Sequence, residues 1–145
     1  MANVSNLLEK KRKELISVSP DTVIRDAIVK MTEKSAGTAL VMDGNKLVGI
    51  FSERDVIRKV YLKDKCSKGT KVSEIMSTDL TTVKLDTTLE SCMEMMTEKR
   101  IRHLPVLDGD RVAGIVSIGD IVKFMVQEKE FVIKNLQSYI SGPGM

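Results

Sequence analysis

The sequence predicts an α+β fold built from two tandem β-α-β-β-α repeats followed by a C-terminal helix. Three observations lead there. Residues 16–60 align without a gap on residues 81–125, and 14 of those 45 positions are identical at an offset of 65, so one unit occurs twice. Each copy carries an Asp-Gly pair, Asp43-Gly44 or Asp108-Gly109, between two short apolar runs, the mark of a hairpin whose turn needs positive φ. Between the copies, Leu62 to Lys71 reads LKDKCSKGTK, a polar stretch with no apolar period. The chain accordingly divides into residues 1–61 (first repeat with a lead-in), 62–71 (linker), 72–126 (second repeat) and 127–145 (C-terminal helix and tail).

A short extended piece opens each copy and ends at Val18 or Val83. Asp21 or Asp86 then offers a side-chain oxygen to the free amides that begin a helix, and Thr87 with Glu90 has the spacing of a capping box. The first helix sets Val23, Ala27 and Met31 on one face, the second Leu89, Met93 and Met96. Ala39–Met42 and Leu47–Phe51 form the first hairpin, Leu104–Leu107 and Val112–Val116 the second. A closing helix starts at Ser52 or Ser117 and carries Val56, Ile57 and Val60, or Ile121, Val122 and Met125. Upstream, VSNLL (Val4–Leu8) resembles VSEIM (Val72–Met76), with about three extra residues in the first copy. A unit of roughly 60 residues buries little surface alone, so the copies are expected to pack sheet against sheet. Past the second copy, Phe131, Ile133, Leu136 and Ile140 extend a terminal helix that Gly142-Pro143-Gly144 stops. Its apolar face serves either a second chain or its own body.

Composition narrows the function. With 23 Lys and Arg against 20 Asp and Glu, a net charge of +3 and 42% hydrophobic residues, the 145-residue chain has the means to bury a core and is not a disordered or strongly basic protein. The run KKRK (Lys10–Lys13) reads as a solvated helix face flanked by Glu9 and Glu14, without interleaved aromatics, so nucleic acid is the weakest partner reading. No run approaches the roughly 18 apolar residues of a membrane span, and no signal-peptide core opens the sequence, so the expected compartment is the cytoplasm. Cys66 and Cys92 fit neither a disulfide framework nor a close-spaced zinc site, and the single histidine, His103, excludes a multi-histidine metal centre. GIVSIG exceeds the nucleophile-elbow spacing by one residue, and no glycine-rich phosphate loop occurs. No enzymatic activity, metal or required cofactor is expected.

The motifs that distinguish the repeat are GIFSERD (Gly49–Asp55) and GIVSIGD (Gly114–Asp120), RHLPVLDGD (Arg102–Asp110) and VSEIMS (Val72–Ser77). Ser52 with Asp55, and Ser117 with Asp120, have capping-box spacing at a helix start, and that alone accounts for them. Taken together, the motifs from Val4 to Val126 resemble the cystathionine-β-synthase (CBS) domain family. The resemblance implies a pseudo-twofold module of two CBS repeats, a Bateman module, with two clefts between its sheets. Such clefts take adenine-containing ligands: AMP, ADP or ATP, and in some members S-adenosylmethionine or NAD. Modules of this kind often pair as dimers.

Carried over residue by residue, the resemblance assigns Thr82, Val83, Pro105, Ile115, Ser117, Asp120, Arg102, His103 and Arg54 to the second cleft. Asp120 and Ser117 would hold ribose hydroxyls, and Arg102, His103 and Arg54 would hold phosphate. The first cleft receives Ser17, Val18, Thr38, Ile50, Ser52 and Asp55. Competing readings are a solvated strand entrance for Arg102 and His103, and plain core for Val18, Val83, Ile50 and Ile115. The clefts are not equivalent: Gly37-Thr38 stands where the second copy has Arg102-His103, and Gly119 stands where the first has Arg54. The expected function is a regulatory module, homodimeric, that binds an adenine nucleotide and signals to an unidentified partner protein. A scaffold with empty clefts is the alternative.

Overall fold

The computed structural model describes residues 1–10 and 15–141, the Ser141 side chain excepted. Most of the KKRK run and the Gly142-Pro143-Gly144 stop lie outside the described residues. In chain order the elements are α1 (Val4–Lys10), β1 (Ser17–Val18), α2 (Ile24–Glu33), β2 (Thr38–Asp43), β3 (Lys46–Ser52) and α3 (Glu53–Asp55), which runs on as a π-helical segment Val56–Tyr61. A 3-10 turn at Val72–Glu74 leads to β4 (Val83–Lys84), α4 (Leu89–Lys99), β5 (His103–Asp108), β6 (Arg111–Ser117) and α5 (Ile118–Ser141).

Each repeat folds a three-stranded sheet, β1-β2-β3 or β4-β5-β6, with the short first strand parallel and the hairpin antiparallel. The registers superpose at the offset of 65: Val18 pairs with Val41 as Val83 does with Val106, and Thr38 with Ser52 as His103 does with Ser117. Gly44 (φ 62°) and Gly109 (φ 64°) supply the left-handed turns the Asp-Gly pairs announced.

The helix starts differ from the sequence expectation. Thr22 and Thr87 spend their hydroxyls on the turn before the helix, accepting from the amides of Ser19 (3.2 Å) and Lys84 (3.0 Å). The helices therefore begin later. Val23 occupies the N-cap of α2 with no side-chain cap, Ile24 takes the buried place assigned to Val23, and Asp21 is exposed. In α4 the cap is Thr88, which accepts from the Ser91 amide at 3.1 Å, in place of Asp86 or the Thr87–Glu90 box. Its buried face is Leu89, Cys92 and Met96, with Met93 only half-buried. Val60 is buried in the first closing helix while Ile57 is exposed, and in α5 Ile121 and Phe124 are buried, with Met125 half-buried against the same core and Val122 exposed.

Two apolar cores result, one per repeat, and the lead-ins are exchanged between them. Val4 and Leu7 of α1 pack with Val83, Leu89, Cys92, Leu104, Val116, Ile121 and Phe124 of the second repeat. Val72 and Ile75 pack with Ile24, Ala27, Met31, Ala39, Val41 and Phe51 of the first. Backbone bonds fix the exchange, Val4 N to Thr87 O (2.9 Å) and Val72 N to Thr22 O (2.8 Å). Neither repeat closes its core without a segment preceding the other. Lys10 adds to the docking of α1, lying 4.9 Å from the Phe124 ring centre and 2.9 Å from Glu128.

Candidate functional site

Between the repeats lies a cleft of about 380 Å³, within the range of small-molecule sites. The first repeat contributes Ile16, the turn after α2 (Lys34, Ser35, Ala36, Gly37) and the start of β2 (Thr38, Leu40). The second contributes His103 from β5, Ala113 to Ile115 and Ser117 from β6, and Asp120 from α5. Leu8 and Leu15 complete the wall.

Local structure explains each placement. After α2 the chain reverses through Ser35 in the left-handed region (φ 53°), with the Ala36 amide donating to Met31 O at 2.9 Å, and the turn is thereby set beside the cleft. Gly114 permits close approach of the exchanged lead-in, since a Cβ there would stand 3.0 Å from Leu8 Cδ2. Ser117 ends β6 and starts α5: its Oγ accepts from the Asp120 amide (3.0 Å), while Asp120 Oδ2 accepts from the Ser117 amide (3.1 Å). This reciprocal cap holds the carboxylate at the positive end of a 24-residue helix. The capping reading of Ser-x-x-Asp is thus correct for both copies, because Ser52 and Asp55 make the same box.

Polar groups therefore face an otherwise apolar slot. Lys34, Ser35, Thr38, His103, Ser117 and Asp120 share it with Leu8, Leu15, Ile16, Ala36, Leu40, Ala113 and Ile115. Thr38 Oγ1 lies 3.3 Å from the His103 ring nitrogens, joining the two repeats across the slot. Among the described residues, no group of three or more His, Cys, Asp or Glu side chains is placed to hold a metal ion.

The grouping by repeat expected from the sequence is not the one the cleft displays. His103, Ile115, Ser117 and Asp120 come together as grouped, but Thr38 of the other group joins them. Val83 and Pro105 are buried, and Thr82 is exposed beside β4; none lines the cleft. Arg102 and Arg54 are exposed and also lie outside its lining, so neither faces Asp120 there. Arg102 occupies the position equivalent to Gly37, which does line it, so the arginine belongs to the opposite side of the pseudo-twofold axis. Ser17 is half-buried next to the lining residue Ile16, and Val18 is core. Ile50, Ser52 and Asp55 form a separate constellation. Sequence reasoning passed over Leu8, Ile16, Lys34, Ser35 and Leu40. The signal available for Lys34-Ser35 was their place at the end of the repeated MTEK helix, where the chain must turn.

Comparison with known proteins agrees with this architecture. The CBS domain family model matches residues 4–62 and 72–127. The chain is 34% identical over 148 aligned residues to the CBS domain-containing protein CBSX3, mitochondrial, of Arabidopsis thaliana, covering 96% of this chain and 72% of that protein. The crystal structure of the CBS domain protein NE2398 superposes with a TM-score of 0.83 at 46% identity, over 87% of this chain and 99% of that one. The CBS domain pair of protein MJ0100, solved in complex with 5′-methylthioadenosine and S-adenosyl-L-methionine, superposes with a TM-score of 0.75 at 25% identity, over 86% of this chain and 99% of that one. With two matched repeats, two superposable sheets and a shared cleft between them, the chain belongs to the CBS domain family as a tandem pair.

Proposed function

We propose that this protein is a regulatory module that binds an adenine nucleotide of the AMP, ADP or ATP kind in the cleft beside Asp120 and signals its occupancy to a partner protein. The observation that carries the reading is the Asp120 carboxylate, fixed by Ser117 at one end of a slot with apolar walls. A carboxylate accepts the paired hydroxyls of a ribose, as the acidic residue of dinucleotide folds does. The apolar walls suit a flat base, and Lys34 and His103 supply donors for phosphate. The adenosine-type ligands of the MJ0100 pair support the ligand class.

Occupancy becomes a signal only if the ligand favours one arrangement of the repeats over another. A cleft whose walls come from both repeats and from the exchanged lead-in is suited to that. No catalytic role is part of this reading; the homodimer and the cytoplasmic setting are. Calorimetric titration with AMP, ADP, ATP, S-adenosylmethionine and NAD, run beside Asp120→Ala, tests it. Saturable binding that the variant loses is the expected result. Absence of binding by every compound favours the scaffold reading, for which the uncovered apolar residues of α5 speak.

A further inference from the structure

The first repeat ends in the segment Val56–Tyr61, whose π-helical winding gathers exposed side chains that an α-helix would separate. The Leu62 amide donates to the Ile57 carbonyl at 3.1 Å, a five-residue step that seats Leu62 one turn above Ile57 with Tyr61 beside it. At about 3.6 residues per turn, an α-helix would set Leu62 roughly 140° away from Ile57. All three are exposed, Ile57 at 59%, Tyr61 at 77% and Leu62 at 69%. Single exposed apolar residues are ordinary, whereas three on one turn form a patch that asks for a contact.

Cations border the patch. Arg54 and Arg58, four residues apart, are exposed on the same helical stretch, and exposed Lys63 and Lys65 follow where Asp64, in the left-handed region (φ 53°), turns the chain. The turn is anchored, because Ser67 O and Thr70 O accept from the Arg25 (2.9 Å) and Ile24 (3.0 Å) amides at the start of α2. Glu53 and Asp64 are the exposed acids of this stretch, while Asp55 is buried and faces the Lys59 ammonium at 3.1 Å. The bias runs through the whole first half: residues 1–71 carry 15 Lys and Arg against 9 Asp and Glu, and residues 72–145 carry 8 against 11. At the offset of 65, Arg54 and Leu62 become Gly119 and Gln127, on a helix that is α throughout.

We propose that this face of the first repeat docks on an anionic lipid surface, with Ile57, Tyr61 and Leu62 entering the headgroup layer while the flanking arginines and lysines meet the lipid charges. Tyrosine, with its apolar ring and polar tip, suits that depth. Flexible lysine stems follow a diffuse negative surface, and nucleic acid would leave Ile57 and Leu62 without a role. None of these residues lines the ligand cleft, so the docking goes beyond the function proposed above.

The test uses tyrosine fluorescence and sedimentation with phospholipid vesicles. The sequence holds two Tyr and no Trp, so in Tyr139→Phe the emission comes from Tyr61 alone. Vesicles of phosphatidylcholine with one-third phosphatidylserine, brominated on their acyl chains, should quench that emission; phosphatidylcholine alone should not, and high salt should abolish the effect. Arg58→Gln and Lys63→Gln should each weaken sedimentation with the anionic vesicles about fivefold. Tyr61→Asp combined with Leu62→Asp should abolish it, and AMP titrations of the same variants should match wild type. Absence of quenching by anionic vesicles, or sedimentation that survives the two Asp substitutions, overturns the proposal. So does salt-sensitive binding of an oligonucleotide in place of vesicles, or a wild-type mass that falls on Tyr61→Asp with Leu62→Asp, the mark of a second copy on the patch. Tyr139→Phe leaves the patch intact, so quenching decides even where the double variant does not fold.

Discussion

Thr38 and His103 hold the same place in the two repeats, 65 residues apart, and their side chains meet, with Thr38 Oγ1 lying 3.3 Å from the His103 ring nitrogens. Residues equivalent by repeat touch each other only near the pseudo-twofold axis, so this pair marks it. The hydroxyl both donates and accepts, and therefore suits either imidazole tautomer.

Thr38→Val keeps the shape and removes the bond. It is expected to lower stability by about 0.5–1.5 kcal/mol, the usual worth of one such bond. In a double-mutant cycle with His103→Ala, urea denaturation should give clearly non-additive losses. Additive losses would show that the contact does not couple the repeats.

Gly49 and Gly114 are equivalent, yet their substitution by Ala should not cost the same. A Cβ on Gly49 meets Met76 Sδ at 2.6 Å and Cγ at 2.9 Å, with the Ser77 carbonyl oxygen at 3.1 Å. That oxygen is held by the Ile50 amide, so the strain reaches backbone. Gly49→Ala is expected to destabilise by about 1–3 kcal/mol, the range for overpacking. On Gly114 the nearest atom is Leu8 Cδ2 at 3.0 Å, the end of a side chain that lines the cleft. Gly114→Ala should cost less stability and more ligand affinity. Denaturation midpoints and titrations of both variants check the contrast.

The fold was legible because each repeat states its elements twice. A hairpin read from Asp43-Gly44 was read again from Asp108-Gly109, and both turns have the positive φ they require. Helix starts were less legible because Asp21, Asp86 and the Thr87–Glu90 pair have the spacing of caps, whereas Thr22 and Thr87 serve the turn before the helix. The site was half legible. Asp120, Ser117, Ile115 and His103, grouped together from the sequence, line one cleft, whereas Thr38 and Lys34 reach it from the other repeat. Similarity within a chain identifies equivalent residues and is silent on which equivalents meet across the axis. The exchange of lead-ins was hidden for the same reason: Val4 and Val72 are recognisable as counterparts, but the sequence does not say which core each enters.

The two cysteines should differ in reactivity and in their effect on pH dependence. Cys66 is exposed, and Cys92 is buried on α4. Burial pushes the Cys92 thiol above its ordinary pKa, and the nearby charge of Glu90 adds to the shift. A disulfide reagent should therefore modify one thiol in the native protein and the second only on unfolding. Because the folded thiol is the weaker acid, its contribution to stability is full below the unfolded pKa and is lost as pH rises through the folded one. Denaturation midpoints at about pH 8 and about pH 10 should fall further in wild type than in Cys92→Ala. An equal fall in both would assign the alkaline loss elsewhere.

The last stretch of α5 demands a covering surface. Every residue from Val126 to Ile140 is exposed, including Phe131 at 64%, Ile133 at 52%, Leu136 at 56% and Ile140 at 77%. Helical segments of this length are marginal in water unless an apolar face is packed. Val126, Ile133 and Ile140 recur every seventh residue, and Val122, Lys129 and Leu136 form the companion row. Branched residues in the first row, with Leu136 in the second, follow the pattern that favours a two-stranded coil, and Lys129 in the second row lowers its stability. The homodimer proposed above is therefore expected to pair α5 with α5. Light scattering should give twice the chain mass for wild type and the single-chain mass for Ile133→Asp combined with Leu136→Asp. That variant should keep its ligand affinity within about threefold, since neither residue lines the cleft. A dimer that survives both charges would move the interface off α5 and onto the body of the module.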